Sequence, residues 1–183
     1  MEMQAAAIAD VKIFTSRKFA DNRGYFVETY TKKKFDALSP GLTFVQDNES
    51  FSKEAYTVRG LHYQAPPFAQ DKLVRVISGR ALDVAVDVRV GSPTYGQWVA
   101  EELSAENGKQ LLAPKGFLHG FMTLEPNTLV AYKVTAFYDA ASDGAVYWAS
   151  PGLGIDWPVG EERAILSDKD QRAQKFADFR SPF

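Results

Sequence analysis

Apolar side chains recur at every second position through the middle of the chain. Lys72, Val74 and Val76 share one parity. Beyond Ser78-Gly79-Arg80, Leu82, Val84, Val86 and Val88 line one face, while Asp83, Ala85 and Asp87 line the other. This pattern predicts two strands joined by a hairpin turn at Ser78-Gly79-Arg80. Extended runs are also expected from Val11 to Phe14, over the aromatic stretch Arg23 to Tyr30, from Leu42 to Asn48 and from Tyr56 to Arg59. Further along come Trp98 to Leu103, Lys109 to Ala113, Gly120 to Leu124 and Thr128 to Phe137. Helical patterns are scarce. Thr31 to Leu38 has a Thr at its N-cap and stops at Ser39-Pro40-Gly41, and a second short helix is expected from Lys169 to Phe176 with Ser167 as cap. Short strands at near-regular spacing, broken by Gly and Pro turns, predict an all-β fold, an antiparallel sandwich or barrel with a few short helices. No linker or low-complexity stretch divides the chain, so residues 1–183 are expected to form one domain.

Composition narrows the function classes. A net charge of −2 with mixed signs marks neither a nucleic-acid nor a membrane partner. Cysteine is absent, which excludes disulfides, thiolate zinc sites and cysteine nucleophiles. Met1 to Ala9 lacks a basic n-region and carries Glu2, so a signal peptide is not expected and the default location is cytoplasmic. Aromatic residues make up 13% of the chain, and several lie beside charges. That fits a β-rich core, or a pocket that stacks flat rings and holds anions.

There are two histidines, His62 and His119. The spacing from Gly108 through Pro114 and Gly116 to His119 matches the second motif of cupins, small jelly-roll barrels that often bind metal. Gly60-Leu61-His62 stands at the first motif without a second histidine two residues away. Two histidines with no third nitrogen or thiolate make a poor transition-metal site, so no metal is expected. A triad of His62, His119 and a carboxylate stays open, as does a purely structural His62 at a strand end.

Several motifs in order carry a wider resemblance. They are Arg59-Gly60-Leu61-His62-Tyr63-Gln64, Gln70-Asp71-Lys72-Leu73-Val74-Arg75-Val76, Leu82 to Arg89, Pro114-Lys115-Gly116-Phe117-Leu118-His119-Gly120-Phe121, Tyr132-Lys133-Val134-Thr135, Gly154-Ile155-Asp156-Trp157-Pro158 and Leu166-Ser167-Asp168-Lys169-Asp170. Together they resemble the dTDP-4-dehydrorhamnose 3,5-epimerase family, a group of metal-independent cupins, from about residue 10 to residue 172. The resemblance implies proton removal beside the carbonyl of a dTDP-4-keto-6-deoxy-hexose. Such a reaction needs a base on one face, an acid on the other and a cation for the enolate. It makes His62 the base, Tyr132 the acid, Asp170 the carboxylate that orients the base, and Lys72 the cation. Asp168 is a near-equivalent of Asp170, Tyr138 is a second candidate for the acid, and Asp83 would point into a barrel unless solvated.

By the same resemblance, Arg23 and Arg59 match phosphate and nucleotide positions, and Glu28, Gln46, Asn48, His119 and Lys169 match binding positions. Phe26 or Tyr138 would stack on the base. Asp143 stands where the family usually has Glu, with about one methylene less reach. The family implies no cofactor, and a homodimer whose N-terminal strands cross between subunits. A single-carbon epimerase and a non-catalytic sugar-nucleotide-binding cupin are the alternatives.

Overall fold

The computed structural model describes residues 1–183. In chain order the strands are β1 (Glu2–Ala5), β2 (Lys12–Thr15), β3 (Lys18–Asp21), β4 (Gly24–Val27), β5 (Gln46–Ser52), β6 (Val58–Gln64) and β7 (Lys72–Ser78). There follow β8 (Arg80–Asp87), β9 (Trp98–Ser104), β10 (Lys109–Ala113), β11 (Phe117–Thr123), β12 (Thr128–Val134) and β13 (Asp143–Ala145). Helix α1 (Lys32–Leu38) lies between β4 and β5, and α2 (Asp168–Gln171) and a 3-10 turn at Phe176–Asp178 lie in the tail. Two antiparallel sheets face each other as a jelly-roll barrel, with orders β1-β2-β10-β7-β12-β5 and β13-β6-β11-β8-β9. The β3–β4 hairpin forms a separate two-stranded sheet.

The alternation along β8 is real, but both of its faces are buried. Ala81 and Ala85 join Val74, Val76, Leu111, Phe117 and Val130 in the core between the sheets. Val84, Val86 and Val88 face outward, where Leu153 and Phe179 of the tail cover them. All three valines are fully buried, and each such side chain contributes roughly 1.5–3 kcal/mol. The tail is therefore pressed onto the five-stranded sheet, and it carries Asp170 with it. On the opposite side α1 inserts Phe35 against Phe14, Leu73 and Leu112 on the outer face of the six-stranded sheet.

Three sequence expectations need correction. β7 and β8 do not form a hairpin: β7 pairs with β10 and β12, β8 with β9 and β11. The turn at Gly79 carries the chain from one sheet to the other, with φ +78 and Thr128 too close for a Cβ. The aromatic strand from Arg23 is ordered as a strand only over Gly24–Val27, because it pairs with nothing beyond β3. The second helix is a single turn ending at Gln171, though Ser167 caps it as expected.

Candidate active site

A cavity of about 380 Å³ opens between the sheets, lined among others by Arg59, His62, Lys72, His119, Tyr132, Lys169 and Asp170. Its two walls come from different sheets. β6 and β11 supply His62 and His119, which face each other in register on neighbouring strands. β7 and β12 supply Lys72 and Tyr132 from the six-stranded sheet. A larger concavity, about 720 Å³ and lined by Lys12, Pro66, Pro67 and Lys115, lies outside this cluster. The smaller cavity is the one where the titratable groups converge.

A β-bulge explains how Arg59 and His62 share a wall. On β11 only two steps separate His119 and Phe121, yet their partners on β6 are His62 and Arg59, three steps apart. The extra residue resets the alternation, so both side chains point inward. Glycine permits this: a Cβ at Gly60 would lie 2.6 Å from Gly120 Cα, and one at Gly120 would lie 2.7 Å from Arg59 O.

His62 Nε2 lies 2.6 Å from Asp170 Oδ1, across 108 residues of sequence. Ser167 Oγ accepts from the Asp170 backbone N at 3.2 Å and donates to Asp170 Oδ2 at 2.9 Å. Burial of Asp170 disfavours its charge, but hydrogen bonds from His62 and Ser167 and the charge of Lys169 outweigh it and hold the carboxyl below its usual range. With Asp170 ionised, His62 Nε2 carries the proton and Nδ1 keeps the lone pair. Asp168, the near-equivalent, is 90% exposed and turned toward Arg172.

His119 Nε2 is bound to Asp83, at 2.9 Å from Oδ1 and 3.1 Å from Oδ2, and both residues are buried. Asp83 thus points into the barrel. Each histidine spends one ring nitrogen on its own aspartate, and no three His, Asp or Glu side chains converge as a metal-ligand set. Lys72 makes no hydrogen bond or ion pair with protein. Burial draws its pKa down to about 8, against the attraction of Asp143 and Asp83. Burial raises the Tyr132 phenol, partly offset by Arg59, so it stays protonated. Arg59 has no acidic partner; it donates to Ser52 Oγ and Phe51 O.

The remaining candidates divide into two groups. Gln46, Asn48, Tyr138 and Asp143 do not line the cavity themselves but are linked in a chain to Lys169, which does. Asp143 pairs with Lys169 and accepts from Tyr138 Oη at 3.3 Å, the Tyr138 N–H donates to Gln46 Oε1, and Gln46 Nε2 donates to Asn48 Oδ1 at 2.8 Å. Arg23, Phe26 and Glu28 do not line this chain's cavity. Arg23 and Phe26 project on the β3–β4 hairpin with Phe26 70% exposed, and Glu28 is paired with Lys34. Sequence reasoning missed the hold of Ser167 on Asp170, whose signal is an N-cap hydroxyl three residues before a carboxylate. It also missed Ser50, Phe121 and Ile165 in the wall.

The profile of the protein family described as dTDP-4-dehydrorhamnose 3,5-epimerase matches residues 5–178. A Sinorhizobium fredii protein of that name is 54% identical over 170 residues, 93% of this chain and 87% of that one. The Legionella pneumophila dTDP-6-deoxy-D-glucose-3,5-epimerase, solved in complex with dTDP-4-keto-L-rhamnose, is similar with TM-score 0.93 and 42% identity over 98% of this chain and 94% of that one. A Bacillus anthracis dTDP-4-dehydrorhamnose 3,5-epimerase with TDP and PPi bound gives TM-score 0.90 and 48% identity, covering 95% of this chain and 99% of that one. With a His–Asp pair and a partly buried tyrosine facing one cavity from opposite sheets, and likeness along nearly its whole length, the chain belongs to the dTDP-4-dehydrorhamnose 3,5-epimerase family.

Proposed function

We propose that the protein inverts C3 and C5 of dTDP-4-dehydro-6-deoxy-glucose, giving dTDP-4-dehydro-rhamnose for dTDP-rhamnose synthesis. The observation that carries the reading is the placement of His62 and Tyr132 on opposite walls of one cavity, with the unpaired Lys72 between the sheets' inner faces. His62 Nδ1 removes the proton beside the C4 carbonyl from one face of the ring, and Asp170 stabilises the imidazolium that forms. The Lys72 ammonium, with no competing partner, donates to the enolate oxygen. Tyr132, kept protonated by burial, returns a proton to the other face. His119, fixed by Asp83, contacts the sugar. Arg59 binds phosphate, and Tyr138 stacks on the thymine beside Gln46 and Asn48. The chemistry asks for no cofactor.

The stranded positions of Arg23, Phe26 and Glu28 support a homodimer in which each hairpin reaches the partner's cavity mouth. Phe19, Tyr25 and Phe26 are each more than half exposed on a hairpin whose strands pair only with each other. Residues 1–183 act as one catalytic domain in this reading, and a cytoplasmic location is part of it.

The test is NMR in deuterated water with purified protein and substrate. Deuterium is expected at both C3 and C5 with conversion to the doubly inverted product. Exchange at one carbon assigns a single-carbon epimerase, and exchange at neither refutes the proposal.

A further inference from the structure

We propose that Lys18 is a positioning residue that aims the β3–β4 hairpin by clasping the turn between β9 and β10. The inference rests on the reading above, in which the hairpin completes the site of a second copy.

The hairpin is two strands of four residues, paired only with each other. An isolated ribbon of that size is marginal in water, so its direction must be imposed from outside. Within residues 18–27, Lys18 makes the only hydrogen bonds that leave the hairpin. Its Nζ donates to Ala105 O at 2.6 Å and to Glu106 O at 2.8 Å, and sits 4.5 Å over the ring of Tyr25 on the neighbouring strand. One ammonium thus joins both hairpin strands to the barrel. The other charges stay local: Arg17 lies over Phe19, and Arg23 is bound to Asp21 at the tip.

The clasped turn is stiff. Asn107 Oδ1 accepts from the backbone N–H groups of Ser104 and Lys109, its Nδ2 donates to Glu102 O, and its own N–H donates to Ser104 Oγ. Gly108 follows with φ +62, and a Cβ there would touch Lys18 Cε at 3.5 Å. Two neighbouring carbonyls on a braced turn form a fixed acceptor pair for a three-donor ammonium. Hydrogen bonds from a charged donor are stronger than those between neutral groups, though less so at this half-buried position than when fully sheltered. Holding the hairpin in place before nucleotide arrives removes an ordering cost from binding and leaves the proton-transfer groups untouched.

The experiment uses full-length Lys18→Met and Lys18→Arg, with dTDP affinity by calorimetry, kcat and KM by product formation, and mass by sedimentation. For Lys18→Met, KM and the dTDP Kd are expected to rise about tenfold, equal to about 1.4 kcal/mol, with kcat within about twofold. Arginine, which also offers paired donors to two carbonyls, is expected to restore most of the loss. An unchanged KM and Kd in Lys18→Met, or Arg no better than Met, overturns the assignment. Phe26→Ala separates the two layers. If it weakens dTDP binding while Lys18→Met does not, the clasp alone is wrong; if neither does, the crossing-hairpin reading falls too.

Discussion

Asp170→Asn separates the two tasks of the Asp170 carboxylate, which are to hold the His62 tautomer and to stabilise its charged form. In the native site Oδ1 faces His62 Nε2 at 2.6 Å and Oδ2 receives Ser167 Oγ at 2.9 Å. An amide fits the same place with its oxygen toward His62 and its NH₂ toward the Ser167 hydroxyl, which can accept. The tautomer is then kept and only the negative charge is lost. Replacing a charge-assisted hydrogen bond by a neutral one costs about 1–2 kcal/mol, so kcat/KM is expected to fall about 5–30-fold. Ser167→Ala alone removes one neutral partner and is expected to cost about fivefold, or about 1 kcal/mol.

The double variant behaves differently, because no hydroxyl then decides which end of the amide meets His62. With the NH₂ toward Nε2, the ring proton moves to Nδ1 and the base is lost. A wrong tautomer costs up to about 10⁴ in rate in the serine-protease case. The assay is deuterium wash-in to substrate for wild type, both single variants and the double, read as a mutant cycle. A double variant equal to the product of the singles within about 0.5 kcal/mol refutes the role given to Ser167. A loss near 10⁴ from Asp170→Asn alone refutes the claim that Ser167 can hold the amide.

Lys72, with a pKa drawn to about 8, is expected to impose an alkaline limb near pH 8 on kcat/KM, with activity lost as the ammonium deprotonates. Asp143 favours the charged form of Lys72, so Asp143→Asn should move that limb to lower pH; no movement, or the opposite one, counts against the assignment. Because the folded pKa lies below the ordinary lysine value of 10.5, the native state binds fewer protons between about pH 8 and 10.5, and the penalty of holding Lys72 charged is full below pH 8. Lys72→Met should therefore raise stability at pH 7 by on the order of 2–3 kcal/mol while abolishing turnover, checked by urea melts beside the activity assay. Gly120→Ala puts a Cβ 2.7 Å from Arg59 O and 3.0 Å from Gly60 Cα, both backbone atoms. It is expected to cost about 1–3 kcal/mol, seen as a Tm lower by about 2–4 °C per kcal/mol, and an unchanged Tm would show that the bulge is not held by that contact.

The strands were legible because period-two alternation survives even where both faces are buried, as at Leu82 to Val88. What the alternation does not encode is which sheet a strand joins. Ser78-Gly79-Arg80 has hairpin chemistry, yet the glycine serves a crossing between sheets. β1, β3 and β13 escaped because runs such as Asp143-Gly144-Ala145 are short and take their order from a partner strand. The bulge in β6 was hidden as well, since it depends on Gly60 meeting Gly120 across two strands. The barrel, Asp83 pointing inward and the Ser167 cap followed from local pattern. Pairing His62 with Asp170 over 108 residues needed the family resemblance, because no local signal joins a strand to a tail turn. Thr31 shows the limit of cap reasoning: it stands at the N-cap, but its hydroxyl bonds to Glu28 instead.

The central claim is that a base on one sheet and an acid on the other serve opposite faces of the sugar. Following proton exchange and inversion in the same deuterated-water sample tests it most directly. Tyr132→Phe is expected to keep deuterium wash-in while inverted product falls by about 10²–10⁴, and His62→Ala is expected to lose both. Inversion at near wild-type rate by Tyr132→Phe, or wash-in surviving in His62→Ala, contradicts the account.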